Sequence, residues 1–478
     1  MTPEEVLARL TELRRADAPT HGGRVLSYVY DSGRPELDAL AAEAARLVQP
    51  LNALDPTTFG SVAVMEREVV GFVRDLVHGG PDVVGNATSG GTESCLLAVH
   101  TARRVWRGEG TPRLVAPATV HAAFHKAAEY FGLHLDLVPV DADGAVSATD
   151  VVDLLAADVA LVVLSAPSYP HGVLDPVGEV AEATSARGIA LHVDACFGGL
   201  ALPFWPDLPE WDFRVPGVTS LSADLHKFGY APKGASVLLQ RGRNRHRAQY
   251  FATTRWPGYP VVNPTLLGSK PAGPLAAAWA IVNVLGPEGF AELADSCRRS
   301  TRILIDEVAR IDGLRVVGSP VGPLLAVATD ESNPAGRRVD PHHWADEVRA
   351  EGFLLQLQPA SAQAGGPRLP RTTHLTVTPV TERVLPELLP ALAEAADRAR
   401  GVPGADATGA LATLGDVPET VDADTAAALL TGFGIGGGGA LPDRLAPLLA
   451  LIEALPAPLA ERLLTELLAR LVEPTALS

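Results

Sequence analysis

Lysine is scarce in this 478-residue chain, which has four lysines against thirty-five arginines. Arginine serves a solvated surface equally well, but it cannot attack a carbonyl and be released again. The few lysines kept are therefore candidates for amine chemistry. Cysteine is scarcer still. Cys95, Cys196 and Cys297 lie far apart, which excludes a disulfide framework and any metal-ligand spacing. Positive charge is short as well: 39 basic residues against 56 acidic ones give a net charge of −17, which argues against a nucleic-acid surface. The densest basic run, RGRNRHR (Arg241–Arg247), has no interleaved aromatics and reads as a solvated loop or subunit contact. The longest apolar runs, such as Leu275–Leu285, are too short to span a bilayer. The first residues, MTPEEVLARLTELRRAD, are charged and amphipathic rather than a signal peptide, so a cytoplasmic protein is expected. There is no HExxH pattern for a catalytic metal and no GxSxG elbow for a serine nucleophile.

What is present points to an α/β protein. Helices are expected over residues 1–19 and 35–47, and helical periodicity continues over 64–77. Strands and helices then alternate, with strands at 113–116, 135–138, 159–167 and 189–194. The strand VALVVLSAP is nearly unbroken in its apolarity, as in a parallel sheet covered on both faces. Such sheets bind ligands just beyond the C-terminal ends of their strands. The expected division is a helical N-terminal arm (1–60), a large α/β domain (61–310), a smaller α+β domain (311–400), and a glycine-rich connection with a helical tail (401–478). The run TGFGIGGGG (Thr431–Gly439) lacks the Lys and Ser or Thr of a phosphate-binding P-loop and reads as linker.

Polar residues stand where that architecture places ligands. Lys227 follows His226 in SLSADLHKFGYAPKG, a stretch rich in small and turn-forming residues, where it reads either as an amine holding pyridoxal phosphate (PLP) covalently or as an ordinary surface lysine. Asp194 ends the apolar run IALHV. A buried carboxylate there needs a partner, either a pyridinium nitrogen, which it would keep protonated, or Arg187 or a helix end. Gly90 and Gly91, with Thr92 or Ser94 as cap, open a helix whose N-terminus suits a phosphate, although plain turn chemistry gives the same pattern. His121, at the start of another helix, can stack on a flat ring.

Five stretches in order, TSGGTES, TVHAAFHKAAEYFG, SAPSYPHGVLDPV, LHVDACFGG and FRVPGVTSLSADLHKFGYAPKG, resemble the PLP-dependent group II decarboxylase superfamily, and within it the sphingosine-phosphate lyase branch. The resemblance runs from about Tyr30 to Val380. It implies the fold type I architecture, a large, mainly parallel seven-stranded sheet with a smaller C-terminal α+β domain. It implies that Lys227 carries PLP as an imine, that Asp194 pairs with the pyridine nitrogen, and that His121 stacks on the ring. Gly91, Thr92 and His226 are implied phosphate contacts, and Gly268–Ser269 would approach the cofactor phosphate of a neighbouring subunit in a homodimer. Lys233 matches a second lysine that helps bind a substrate phosphate. Tyr30 and Tyr169 match substrate-side tyrosines. Lys227, Lys233, Tyr169 and His121 are the candidates for moving protons. The implied activity is retro-aldol cleavage of an amino alcohol to an aldehyde and an amine. Amino-acid decarboxylation is the alternative, with aminotransfer or non-catalytic PLP binding behind it. One position departs from the branch: where those lyases have histidine in Asn-Pro-Leu-His-Pro, this chain has Asp55 in Asn52–Pro56. A carboxylate facing the substrate there would repel a phosphate and favour an amine or hydroxyl.

Overall fold

The computed structural model describes residues 1–408, 421–432 and 442–474. Seven strands build the main sheet: β1 (Val83–Thr88), β2 (Arg113–Pro117), β3 (His134–Val138), β4 (Val159–Ser165), β5 (Ala190–Asp194), β6 (Ser220–Ala223) and β7 (Ser236–Arg241). Their order is β1-β7-β6-β5-β4-β2-β3, and only β7 runs against the others. Every position of β4 and β5 is buried, as expected of strands covered on both faces. Alternate residues divide between two cores. Val115, Val162 and Leu164 pack toward α3 (Gly60–Leu76) and α9 (Gly273–Val308), while Leu114, Leu161 and Val163 pack toward α4 (Gly91–Val105) and α5 (Ala122–Phe131). Helix α9 breaks at Gly286 (φ 58°, ψ −179°) ahead of Pro287, which divides it into two helical segments.

A second, fully antiparallel sheet follows, in the order β10-β11-β13-β12, from β10 (Leu314–Val316), β11 (Leu324–Thr329), β12 (Gln356–Gln358) and β13 (Thr372–Thr376). Between them in the chain, β8 (Phe251–Thr253) and β9 (Val261–Asn263) form a separate hairpin. Helices α10 (Pro341–Ala350) and α11 (Thr381–Ala399) cover the second sheet, with Trp344 and Leu388 in its core.

Three local expectations change. The N-terminal arm is not a separate unit. After α1 (Pro3–Leu13), the chain crosses the small domain, where Leu26 N–H donates to the Leu354 carbonyl (2.9 Å) and the Leu26 carbonyl accepts from Thr376 N–H (2.7 Å). Leu26 belongs to the small-domain core. The basic run at 241–247 is not a loop: Arg243–Gln249 is a helix, α8, held by His246, whose Nε2 lies 2.7 Å from Asn86 Oδ1. Neither Thr92 nor Ser94 caps α4. Gly90 is its N-cap, while Ser94 lies inside and bonds Thr88 Oγ1 (2.7 Å) and Ser236 Oγ (2.9 Å). Most of the glycine run beginning at Thr431 lies outside the described residues.

Candidate active site

The C-terminal ends of five parallel strands meet at one edge of the main sheet, and each delivers a polar group. Beyond β1 comes the Gly90–Gly91 turn, beyond β2 His121, beyond β4 Tyr169, at the end of β5 Asp194, and beyond β6 Asp224 and Lys227. Together they line a cavity of about 360 Å³. The convergence follows from topology, because parallel strands all open their C-terminal ends toward the same side.

Lys227 Nζ lies 3.0 Å from Asp224 Oδ2, and the Asp224 side chain is 1% exposed. Burial pushes the lysine down, but Asp224, joined by Cys196, Tyr30 and Asp194, holds the ammonium well above its ordinary range. Burial alone would raise Asp224, yet Lys227 and His226 bring it well below the usual carboxylate range. Asp224 Oδ1 is buried without a partner and faces the glycine turn. His226 accepts Gly234 N–H (3.3 Å) and Ala235 N–H (3.2 Å) on Nδ1, leaving Nε2 3.5 Å from Asp224. Both ring nitrogens are thus engaged, and His226 meets the turn by its ring edge rather than by a free donor.

Asp194 is 8% exposed, and its Oδ1 accepts from Cys196 N–H (3.0 Å) and Ser222 Oγ (3.3 Å). It is neither a helix cap nor a partner of Arg187, whose Nη1 donates to the Ala183 carbonyl. Cys95, Asp194 and Cys196 bring their ligand atoms within 4.8 Å of one another, the one such group found among the described residues. Burial raises the Cys95 thiol. A bond from Cys95 and then burial raise Cys196, whose Sγ donates to Ser222 Oγ (3.2 Å). These sulfurs behave as small neutral groups beside the carboxylate, not as ready thiolate ligands.

His121 caps α5, its Nδ1 accepting from Ala123 N–H (3.1 Å), so the neutral ring carries its proton on Nε2. His125 does not line the cavity. At the turn, Gly90 has φ 153°, and a Cβ on Gly91 would fall 2.7 Å from Asp224 Oδ2 and 2.9 Å from Cys196 Sγ. Only glycine leaves that space open. No side chain caps α4, and Gly91 and Thr92 begin it at the cavity wall.

Tyr169 also lines the cavity. Its hydroxyl donates to Gln356 Oε1 (2.6 Å), and its ring stacks on His374 at 4.4 Å, both partners coming from the small domain. Burial pushes the phenol far up, so it stays protonated. Tyr30 stands beside the cavity-lining Phe197 and is pushed up to about 12, chiefly by burial. Lys233 Nζ lies 4.5 Å over the Tyr30 ring and donates to the His226 carbonyl (3.0 Å). Burial and then the charge of Lys227 bring it down to about 8.

Two of the named residues lie outside the Lys227 cavity of their own chain, one of them, Ser269, expected at a neighbouring subunit's site. Asp55 is exposed, and its oxygens accept from Thr57 and Thr58, which lowers it to about 2. It lines a separate cavity. Ser269 Oγ accepts from Asn52 Nδ2 (3.2 Å) and is absent from the Lys227 cavity. Conversely, Asp224, Gln356 and His374 were not singled out from the sequence. Asp224 had a readable signal, an acid three residues before the lysine at a strand end. The other two had none.

The donor set suits PLP: an amine, a carboxylate set apart from it, a flat imidazole, and a glycine turn at a helix N-terminus. Residues 37–317 match the family model described as "Pyridoxal-dependent decarboxylase conserved domain". The chain belongs to this family. This family member is a PLP-dependent lyase. Residues 386–470 match a second model, "Pyridoxal-dependent enzyme, C-terminal putative HTH domain". The chain is 34% identical over 431 residues to sphingosine-1-phosphate lyase 1 of Rattus norvegicus, covering 88% of this chain and 73% of that one. It is 38% identical over 334 residues to the Dictyostelium discoideum sphingosine-1-phosphate lyase, covering 68% and 62%. A solved sphingosine-1-phosphate lyase of Burkholderia pseudomallei superposes with TM-score 0.77 at 34% identity, covering 87% and 96%. A Lactobacillus brevis glutamate decarboxylase, at 20% identity, TM-score 0.71 and coverage of 84% and 93%, shares the fold.

Proposed function

We propose that this lyase cleaves a phosphorylated amino alcohol of the sphingoid-base class, by retro-aldol fission, into a long-chain aldehyde and phosphoethanolamine. The observation that carries this reading is the charge around the Lys227 cavity. Asp55, the residue that would repel a phosphate, is tied up with Thr57 and Thr58 outside that cavity, whereas the Lys233 ammonium stands over Tyr30, whose ring packs on the cavity-lining Phe197. Similarity to lyases named for sphingosine-1-phosphate, at 34% identity over most of both chains, supports the same class.

PLP bound here would supply an electron sink for breaking a bond at the amine-bearing carbon. In this reading Lys227 would hold the cofactor through its amine. Asp194 would face the pyridine nitrogen and favour its protonated form, and His121 would cover the ring face. Gly91 and Thr92 receive the cofactor phosphate at the start of α4, with the His226 ring edge alongside. Lys233 holds the substrate phosphate, and Tyr30 closes the substrate side. Tyr169, its proton committed to Gln356, offers the substrate hydroxyl an acceptor oxygen.

We assign the working enzyme as a cytoplasmic homodimer. Two observations support the dimer: Ser269 lies outside the cavity of its own chain, and Val6, Leu7, Leu10 and Leu13 of α1 are all exposed. No helix among the described residues is long and apolar enough to cross a membrane. A nucleic-acid role is not proposed for the tail, where residues 401–478 carry ten acids and three arginines. Those arginines pair with Glu347, Glu466 and Asp424.

The test is product analysis. Incubating the PLP-loaded enzyme with a phosphorylated sphingoid base should yield aldehyde and phosphoethanolamine in equal amounts by mass spectrometry. Release of carbon dioxide from amino acids, with no aldehyde from the phosphorylated base, would make it a decarboxylase instead.

A further inference from the structure

Strand β12 is three residues long and lies at the edge of the small sheet, with β13 its only strand partner among the described residues. A ladder that short is weakly fixed, and a one-residue slip would turn its side chains to the opposite face. Yet this pair carries both small-domain groups that hold Tyr169. Gln356 and His374 are directly opposed in the register, and one bonds the phenol while the other stacks on its ring.

The register is closed from outside by the tail. Beyond the last pair, Gln358 with Thr372, the chain loops out through residues 359–371. Glu453, on the tail helix α13 (Ala446–Ala454), reaches both ends of that loop. Its Oε1 accepts from Ala360 N–H (3.0 Å), just after β12, and its carboxylate accepts from Arg371 Nε (2.8 and 2.9 Å) and Nη2 (2.7 Å), just before β13. The Glu453 side chain is 6% exposed, and Arg371 also reaches Asp340. The tail is itself anchored, because Asp346 on α10 accepts from Leu445 N–H (2.8 Å) and Ala446 N–H (3.0 Å) at the start of α13. The far side of the loop is fixed to the large domain, where the Gln363 amide bonds both the N–H (2.8 Å) and the carbonyl (2.9 Å) of Val140.

We infer that the C-terminal helical segment is a brace for the active site, and that Glu453 is a positioning residue: by clipping Ala360 to Arg371 it sets the β12–β13 register that presents Gln356 and His374 to Tyr169. The inference rests on Tyr169 being a substrate-side group, as proposed above. Leu26 holds Leu354 and Thr376 at the opposite end of the pair, and the buried, charge-assisted bond spanning the loop ends adds to that hold and to the three ladder pairs at the end the loop leaves open. Displacing the phenol by about an ångström is enough to cost one to two orders of magnitude in turnover.

The test uses the full-length, PLP-loaded protein with Glu453→Ala, and with the milder Glu453→Gln in case the first fails to fold. Hydrogen exchange should accelerate at least about tenfold at residues 356–358 and 372–376, while cofactor absorbance stays unchanged. Both readouts need no substrate, so they judge the brace even if the proposed substrate is wrong. On whichever amine the enzyme turns over, kcat should fall about tenfold or more with KM within about twofold. In a Tyr169→Phe background, Glu453→Ala should then cost less than about twofold further, because both changes remove one unit. Unchanged exchange in β12 would overturn the inference. So would fully additive losses in the double variant, which would mean that Glu453 acts by some route other than Tyr169.

Discussion

Lys227 and Asp224 form one unit. Their charges sit 3.0 Å apart with Asp224 fully buried, so each stabilises the ionised form of the other. Before the lysine can hold a carbonyl carbon it must lose its proton, and Asp224 opposes that loss. Asp224→Asn should therefore lower the lysine pKa and move the pH midpoint of PLP capture by apoenzyme downward by about one unit or more. Following the rise of cofactor absorbance against pH reads this directly; an unmoved or higher midpoint would refute the coupling. At this scale the sequence was partly legible. Lys227, His121 and Asp194 could be named because amine, imidazole and carboxylate chemistry is fixed by residue type and by position after a strand. How Asp55 is held was not legible, since nothing in Asn52–Pro56 reveals that Thr57 and Thr58 satisfy its oxygens.

Among the elements, the glycine turn between β1 and α4 is the most constrained. A methyl group on Gly91 would meet a buried carboxylate oxygen at 2.7 Å and a buried sulfur at 2.9 Å, closer than either contact allows. Gly91→Ala should weaken PLP binding by at least about tenfold, or ~1.4 kcal/mol, measured by fluorescence titration of apoenzyme. Retained affinity would show that the turn is not the phosphate seat. The strand and helix pattern of the large domain was legible because buried parallel strands read as apolar runs and their helices as periodic ones. The crossing of the N-terminal arm over the small sheet was not. It depends on backbone bonds from Leu26 to Leu354 and Thr376, more than three hundred residues away, which leave no local trace. The Tyr169 contacts with Gln356 and His374 were hidden for the same reason.

Across the whole molecule, buried neutral histidines set the acid limit. Burial lowers His192 to about 4 and His374 to about 3, with His171 and His246 also at about 4. Below about pH 6.5 the unfolded chain binds protons at these sites and the folded chain does not, so protonation favours unfolding. Each fully buried histidine removes up to about 1.4 kcal/mol of stability per pH unit within its window. Asp175, raised to about 7 by burial, acts in the opposite sense, because the folded chain keeps a proton that the unfolded chain releases. One acid does not offset the histidines. The urea midpoint should fall between pH 6.5 and pH 4.5, and a constant or rising midpoint would contradict this balance.

All of the proposed chemistry depends on which lysine carries the cofactor, and only four are present. Borohydride reduction of the PLP-loaded protein, followed by digestion and mass spectrometry, locates the link. One phosphopyridoxyl group per chain on Lys227, absent from Lys227→Ala, is the expected result. A label on Lys126, Lys233 or Lys270 instead, or no label after PLP addition, would contradict the account.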